Sequence, residues 1–402
     1  MAITKPSRNR GLSLIELMVG VVIGMIAIII IMQVAITFEA QKRATVGTAG
    51  AMDEGSVGLF TLRREIQSAG YGIADADLIA CLVQAHEAHF DVPATAADFQ
   101  FSIFPVQIAQ GLGGAPDSIT VNYSSSPMLA TAATLIQTFP GDEATNLKLN
   151  NRYGFNAGDV IILANPSVLA PSPPALAGTR QCSMYQVTAL PAGAGETDEI
   201  KHELTQYVNS AGASVPSRFN KGGGLGITYP ANTTKVFNLG GNPVSSQFFV
   251  FNEQLVFQDQ LTGAPTPLVL LDNVVSFQAQ YGFDARPGPQ TTVQIPAQNF
   301  QIGVGGFSDN VEDADSSGDA GNSGDWMRLG AVRIAIVVRN KYPDRPDPGT
   351  GVCNTTTNPP AWTWGVVPVL TMAAQQADWQ CYRYKVFESV IPLRNMFWKA
   401  AS

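Results

Sequence analysis

The four cysteines are the first residues whose chemistry the sequence defines. They stand at positions 81, 182, 353 and 381, and none belongs to a CxxC pair, so a zinc knuckle and a thioredoxin-type redox motif are both excluded. An even count predicts two disulfides if the domain is exported, for which the N-terminal segment described below argues, with four buried thiols as the alternative. We expect Cys353 to pair with Cys381, because they bracket a short segment next to a C-terminal strand, and Cys81 then pairs with Cys182.

An acidic run at positions 309–319 is the segment best suited to hold a cation, because Ca²⁺ prefers several carboxylates on a glycine-bent loop. Positions 313–319 follow the first half of an EF-hand calcium loop, but Gly324 stands in the place of the closing Glu. A soluble acidic loop without any cofactor is therefore the favoured interpretation, and bound calcium is the alternative. Its ligands would be Asp313, Asp315, Ser317, Asp319 and Asp325.

Signatures of common enzymes are missing from the sequence. It contains no GxSxG elbow, no GxxxxGK[ST] phosphate loop and no HExxH zinc site. His86 and His89 flank Glu87, and we interpret all three as solvated loop residues rather than metal ligands. We assign no catalytic residue and predict that the chain is not an enzyme. A membrane-anchored periplasmic enzyme or binding protein is the alternative from another functional class.

The charge balance argues against nucleic acid as a partner. The net charge is -8, and the basic residues form no cluster beyond the first ten positions, whereas a duplex binder needs a basic patch. With 45% hydrophobic and 14% charged residues, the composition indicates a folded chain with one large globular unit.

A long apolar segment near the N-terminus must anchor the chain. Residues 12–38 contain one charge, Glu16, and as a helix they would measure about 40 Å, which is enough to cross a bilayer. Lys5, Arg8 and Arg10 precede the segment, so the N-terminus stays cytoplasmic and the rest of the chain crosses the membrane. We therefore expect a single-pass inner-membrane protein with a periplasmic C-terminal domain.

The residues around this segment's start resemble the processing signal of the type IV pilin family. A basic leader, Gly11, the apolar Leu12 and an acidic residue four positions later, Glu16, precede the long apolar helix. The resemblance implies that prepilin peptidase cuts after Gly11 and methylates Leu12, although Phe is the usual first residue. A carboxylate is costly in lipid, so we expect Glu16 to act in assembly by neutralising the Leu12 amine of a neighbouring subunit.

The helix should continue beyond the membrane. Met52, Leu59, Leu62 and Ile66 recur at helical spacing and predict an apolar stripe up to Ser68, after which glycines end the helix. The predicted organisation is a leader peptide at 1–11, a transmembrane and assembly helix at 12–68 and a β-rich periplasmic domain at 69–402.

Short β-type runs fill the rest of the chain. They lie at 118–123, 159–165, 184–189, 247–257, 274–283, 332–338 and 381–390. Asn252 and Glu253 form a predicted hairpin tip, and their apolar flanks predict strands buried on both faces. The expected fold class is α+β, with a long hydrophobic N-terminal helix packed on a β-sheet-rich domain that has long loops.

Three of these stretches, residues 268–284, 329–340 and 382–395, are similar to PilW-type minor pilins. The similarity implies a structural subunit present in few copies that takes part in type IV pilus assembly near the tip. The implied partners are other minor and major pilins, which the chain contacts through its N-terminal helix. Prepilin peptidase, the inner-membrane assembly platform and a tip adhesin are further implied partners. The subunit would end on the pilus or cell surface. A type II secretion pseudopilin is the alternative.

Overall fold

The computed structural model describes residues 13–88, 97–127, 132–171, 179–261, 266–284, 306–347, 349–360, 362 and 378–397. Within these residues one long helix precedes eighteen strands, which confirms the predicted α+β class. The helices are α1 (Leu14–Ser68), α2 (Ser323–Trp326) and α3 (Arg394–Phe397), with 3-10 turns at Leu112–Gly114 and Trp379–Cys381.

Helix α1 ends where the sequence predicted. Gly70 and Gly72 follow it with φ angles of 79° and 71°, a backbone region that glycine enters without steric cost. The last carbonyls of a helix lack partners within it. Asn395 in α3 supplies one, because its Nδ2 group donates to the carbonyls of Gln67, Ser68 and Ala69 at 3.3, 3.1 and 3.1 Å. The end of the long helix is thus tied to the C-terminal part of the chain.

The strands follow α1 in chain order. They are β1 (Cys81–Glu87), β2 (Ala97–Ile103), β3 (Val106–Ala109), β4 (Ser118–Tyr123), β5 (Ala133–Thr134), β6 (Leu147–Lys148), β7 (Val160–Leu169), β8 (Arg180–Gln186), β9 (Glu199–Ile200), β10 (Gln206–Val208), β11 (Ser214–Pro216), β12 (Lys235–Gly240), β13 (Val244–Phe251), β14 (Gln254–Asp259), β15 (Leu268–Leu271), β16 (Val274–Phe283), β17 (Leu329–Arg339) and β18 (Tyr384–Pro392).

Three sheets carry most of these strands. The first has the order β2-β1-β8-β7-β12-β5, and within it β1 and β8 run parallel. The second is β15-β14-β13-β4-β3 and the third β16-β17-β18, both antiparallel. Two small ribbons, β6-β9 and β10-β11, complete the described pairing.

The core that positions α1 lies between that helix and the second and third sheets. Leu62 and Ile66 of α1 share it with Phe277 of β16 and Ile336 of β17, all fully buried. Strand β16 is buried along its whole length: Phe277 and Tyr281 belong to this apolar core, whereas Gln278 and Gln280 donate hydrogen bonds to the Ala115 carbonyl and to Asp309. Two further cores cover the two faces of the first sheet.

Strand predictions agree with the structure to different degrees. Strands β4 and β16 have the predicted bounds, and Asn252 and Glu253 form the hairpin turn with φ angles of 49° and 60°. The prediction of strands buried on both faces at this hairpin was wrong, since Phe251 is 54% exposed. The run at 184–189 was also misplaced, because the strand is Arg180–Gln186.

Candidate functional site

The predicted cleavage and methylation residues, Gly11 and Leu12, lie outside the described residues, which begin at Ser13. The processing signal therefore stays a prediction from the sequence.

Glu16 belongs to a capping box at the start of α1. The Ser13 side chain accepts a hydrogen bond from the Glu16 backbone N–H at 3.3 Å, and the Ser13 backbone N–H donates to Glu16 Oε2 at 3.1 Å. These bonds satisfy two of the N–H groups that a helix start leaves without partners. Glu16 thus has a local structural contact in the single subunit, which the sequence analysis missed although the Ser-x-x-Glu spacing is its signal.

The N-terminal half of α1 makes no apolar contacts with the rest of the described chain. Its large side chains between Leu14 and Phe38 are all exposed, from 48% at Val34 to 78% at Leu14, and the segment is long and apolar enough to cross a membrane. This much apolar surface is stable only when lipid or other subunits cover it.

The C-terminal half of α1 meets the domain through small residues. Ala51, Gly55 and Gly58 are buried and precede Leu62 and Ile66 on the same helix face. A Cβ atom at Gly55 would lie 2.0 Å from the Phe387 ring, and one at Gly58 would lie 2.0 Å from Leu271 Cδ1. The glycines therefore let the backbone of α1 approach the side chains of β18 and β15.

We call this face of α1, from Ala51 to Ile66, the seam. It differs from the apolar stripe that the sequence predicted. Leu62 and Ile66 are buried as expected, but Met52 is 46% exposed and Leu59 is only partly buried. The prediction was wrong at Met52 because glycine carries no hydrophobic signal, so the face occupied by Gly55 and Gly58 was not recognised.

The acidic loop brings three carboxylates together. Oxygen atoms of Asp313, Asp315 and Asp325 all lie within 4.8 Å of one another, and Asp325 is fully buried. Gly324 cannot carry the closing glutamate of an EF-hand, since a Cβ there would lie 2.1 Å from Asp315 Oδ2. Asp325, one residue later, turns into the cluster instead.

The other two predicted ligands have different positions. Asp319 is not part of this carboxylate group, and the Ser317 hydroxyl accepts a hydrogen bond from Asn322 Nδ2 at 2.7 Å. Asn322, which the sequence did not single out, also caps α2.

Hydrogen bonds within the loop already use much of this acidic group. Asp313 accepts from the Ser317 and Gly318 backbones, and Asp325 accepts from those of Asp315 and Gly321. Burial raises the pKa of Asp325, with the charge of Asp315 adding to it. The carboxylates are thus placed for a cation, while backbone N–H groups hold the loop together without one.

Both disulfides have the predicted pairing. Cys81 of β1 bonds to Cys182 of β8, and Cys353 bonds to Cys381 just before β18. The sequence separations are 101 and 28 residues. The first bond therefore closes a long section of the first sheet, and the second closes the connection between β17 and β18.

The expectation of solvated loop residues around His86 was wrong. His86 and Glu87 lie on β1, where His86 Nδ1 is 2.7 Å from Asp98 Oδ1 and the buried Glu87 carboxylate is 2.9 Å from Arg218 Nη2. His89 lies outside the described residues. These contacts hold neighbouring segments together and leave no metal-ligand set among the described residues at this point.

Two further titratable groups, His202 and Asp117, are buried. His202 is stacked on Tyr185 with a centroid separation of 4.9 Å, and burial lowers its pKa to about 4. Asp117 accepts hydrogen bonds from the Gly111 and Ala279 backbones, each at 2.8 Å, and burial raises its pKa to about 6. Both groups are enclosed by the fold, so we assign them to stability and not to a site.

Two family models match the chain. The family described as type IV pilus-assembly protein W, PilW, matches residues 245–395, and the prokaryotic N-terminal methylation motif matches residues 6–32. The first range contains β14 to β18 and Asn395, and the second contains the predicted cleavage site and Glu16. No curated protein matches the chain.

Among solved structures, the chain is similar to a type IV-like pilin from Thermus thermophilus. The identity is 12%, and the match covers 39% of this chain and 70% of that chain, with a TM-score of 0.19. A superposition of this quality carries no structural argument. The similarity to type IV pilins therefore rests on the two family models.

Proposed function

We propose that this chain, which belongs to the PilW-type minor pilins of type IV pilus assembly, is cut after Gly11, methylated at Leu12 and incorporated through α1. The observation that carries the proposal is the exposed apolar half of α1 attached to a packed domain. Such a helix suits first a bilayer and then the helix core of a filament, so the subunit needs no refolding between the two. The chain acts as a structural component and not as an enzyme.

The proposed topology follows from the same helix. The N-terminus faces the cytoplasm, where the peptidase and the assembly platform act, and the sheet domain lies in the periplasm. The two disulfides support this placement, because disulfides persist in oxidising compartments.

Further contacts with neighbouring subunits would lie above the membrane. Val57 and Phe60 point away from the seam of α1, and Phe60 is 68% exposed. Covering these side chains by major or minor pilins would extend the interface past the apolar segment. A position near the pilus tip, with a tip adhesin as partner, is part of the proposal and rests on the similarity to PilW-type subunits.

Glu16 is proposed to set the axial register. The capping box engages Glu16 Oε2, and the same carboxylate would bind the Leu12 amine of a neighbouring subunit. Two costly charges in lipid would then neutralise each other.

Two variants separate this role from the capping box. Glu16→Gln keeps a side chain that can close the box but removes the charge, whereas Ser13→Ala breaks the box and keeps the charge. We expect Glu16→Gln to reduce incorporation into pili, measured on sheared filaments, while Ser13→Ala incorporates normally. Normal incorporation of Glu16→Gln would contradict the register role. Equal defects in both variants would assign Glu16 to helix capping.

A further inference from the structure

A cavity lies where the first sheet, the second sheet and the β10-β11 ribbon meet. It encloses about 820 Å³, within the range of about 300–1,000 Å³ that small-molecule sites occupy. Its wall comes from the C-terminal ends of β1, β8 and β14, from the ribbon and the residues that follow it, and from the connection between β12 and β13. All the described lining residues belong to the sheet domain and none to α1.

Hydrogen bonds fix this wall in place. Gln186 Nε2 donates to the Gly158 carbonyl at 2.9 Å, and Gln186 Oε1 accepts from the Arg218 backbone N–H at 2.6 Å. The Arg218 side chain donates to the Leu261 carbonyl at 2.8 Å, and its guanidinium carbon lies 4.7 Å from the Phe219 ring centroid. These contacts join β8 to the segments after β11 and β14. The cavity is therefore formed before a ligand arrives, which lowers the entropic cost of binding.

The charges of the wall are already matched. Among the described lining residues, Arg218 and Asp259 are the charged ones. Arg218 Nη2 lies 2.9 Å from the buried Glu87 carboxylate and 3.8 Å from Asp259 Oδ2. Two carboxylates thus surround one guanidinium group, so the cavity offers no free positive charge to a phosphate or a carboxylate. The Asp259 side chain is 52% exposed and can accept hydrogen bonds from a neutral ligand.

Hydroxyl and amide groups of the wall keep unused hydrogen-bonding capacity. Asn242, Ser245 and Ser246 line the cavity, and their side chains form no hydrogen bond within the described part of the chain. Ser217 also lines it, and its buried hydroxyl has no partner among the described residues. Such groups both donate and accept, and buried ones are rarely left unpaired. A ligand that carries several hydroxyl groups would use this capacity.

Tyr207 adds an aromatic surface to these polar groups. The residue is half-buried, and its hydroxyl lies 3.5 Å from Gln186 Nε2. Its ring packs on Gly158, where a Cβ atom would lie 2.6 Å from Tyr207 Cε2. An aromatic ring offers an apolar face beside a polar edge. A pyranose has the complementary surfaces, because its C–H groups form an apolar face and its hydroxyls surround that face.

We propose that this cavity binds a neutral mono- or disaccharide, with hydroxyls bonded to Asn242, Ser246 and Asp259 and one ring face against Tyr207. Such a ligand supplies partners for the unused hydroxyl and amide groups. It also brings no charge into a site whose charges are already matched. Since α1 takes no part in the cavity, the inference is independent of processing and assembly, and it gives the sheet domain a binding function of its own.

The test uses the full oxidised chain in a polyoxyethylene detergent, because maltoside and glucoside headgroups are themselves saccharides. Saturation-transfer difference NMR screens glucose, galactose, mannose, N-acetylglucosamine, lactose and cellobiose at millimolar concentration, and a titration gives the Kd of each saccharide that binds. We expect wild type to bind at least one of them. Asn242→Ala should weaken that binding about five-fold, the typical effect of one hydrogen bond, and Asp259→Asn roughly ten-fold, because a charged acceptor is lost.

Two glycine variants make the result specific to the cavity. Gly241 lines it, and a Cβ there would meet only the Gly158 carbonyl oxygen, at 4.0 Å, so Gly241→Phe should fill the cavity and abolish binding. The matched control is Gly222→Phe, which lies outside the lining and whose Cβ would make an ordinary contact of 3.5 Å with Leu204 Cδ2. It should bind as wild type does. Equal urea midpoints of the two variants check that both are folded.

Absence of saturation transfer to every saccharide in wild type, or the same affinity in Gly241→Phe as in wild type, would overturn the proposal. Acetyl-trialanine amide is screened in parallel. If it bound in place of the saccharides and was released by Gly241→Phe, the cavity would be a peptide site and the proposal would be wrong. Loss of cleavage or of incorporation into pili would instead refute the proposed function, and the saccharide titration does not depend on either.

Discussion

The glycines of α1 allow one substitution to be compared at three positions of the same helix. Replacing an interior helical glycine by alanine stabilises the helix by about 1 kcal/mol when space is available. Gly50 has that space, so Gly50→Ala should raise the free energy of unfolding by about this amount. The same gain in helix propensity applies at Gly55 and Gly58. Differences in the free energy of unfolding among the three variants therefore measure how closely α1 packs on the domain at each position.

The Gly55→Ala variant should be the least stable. Its new Cβ would lie 2.0 Å from Phe387 Cε2 and 2.4 Å from Cδ2 and Cζ, whereas carbon atoms prefer about 3.5–4.0 Å. The ring or the helix must move by about 1.5 Å, and overpacking of this kind costs about 1–3 kcal/mol. Gly58→Ala should fall between the other two, because it meets the flexible end of Leu271.

Urea unfolding of the full oxidised chain in non-ionic detergent, followed by near-UV circular dichroism, measures the series. We expect Gly50→Ala to be more stable than wild type. Among the three variants, Gly50→Ala should be the most stable, Gly58→Ala intermediate and Gly55→Ala the least stable. Phe387→Ala should remove most of the Gly55→Ala penalty, because it deletes the ring that the new methyl group meets. Equal stability of the Gly50 and Gly55 variants, or no relief by Phe387→Ala, would refute the close approach of α1 to β18.

Further predictions concern the disulfides, the acidic loop and the buried histidine. Closing 28 residues constrains the unfolded chain, so Cys353→Ser with Cys381→Ser should lower the free energy of unfolding by about 3–4 kcal/mol in the same urea assay, and an unchanged midpoint would contradict it. If Asp313, Asp315 and Asp325 bind calcium, millimolar Ca²⁺ should raise the melting temperature of wild type but not of Asp315→Asn, and identical curves with Ca²⁺ and chelator would leave the acidic-loop interpretation. Burial lowers the pKa of His202 from 6.5 to about 4. The contribution of the neutral imidazole to the free energy of unfolding is therefore complete above pH 6.5 and is lost as the pH falls toward 4. Between pH 7 and pH 4.5, the free energy of unfolding of His202→Phe should therefore fall by about 2 kcal/mol less than that of wild type. Equal decreases would be inconsistent with a buried neutral imidazole. The comparison of the two chains cancels the effect of Asp117, whose raised pKa changes the free energy of unfolding in the opposite direction.

Elements with strong local signals were predictable from the sequence. The end of α1 followed from two glycines, and β4 and β16 followed from β-type runs bounded by turn residues. The Asn252–Glu253 turn and both disulfide pairs also agree with the sequence prediction.

Features that depend on distant partners were missed. Strand β1 was not predicted, and its parallel pairing with β8 joins segments about a hundred residues apart. The seam of α1 depends on Phe387 and Leu271, which no local pattern connects to Gly55 and Gly58. In the acidic loop, the third carboxylate of the cluster comes from Asp325 and not from position 324, because Asp315 packs against Gly324.

The bond network of Asn395 affects how the subunit responds to mechanical tension. A pull along α1 passes to the elements that it contacts most, namely β18, β17 and α3, and Asn395 fastens the end of the helix to α3. The load is therefore borne by the C-terminal part of the chain, in which β17 and β18 pair over nine residues from Ala331 to Arg339. The first sheet lies outside this route and is closed separately by the Cys81–Cys182 bond. It can vary in sequence, or yield locally, without breaking the connection between the anchor and the force-bearing strands.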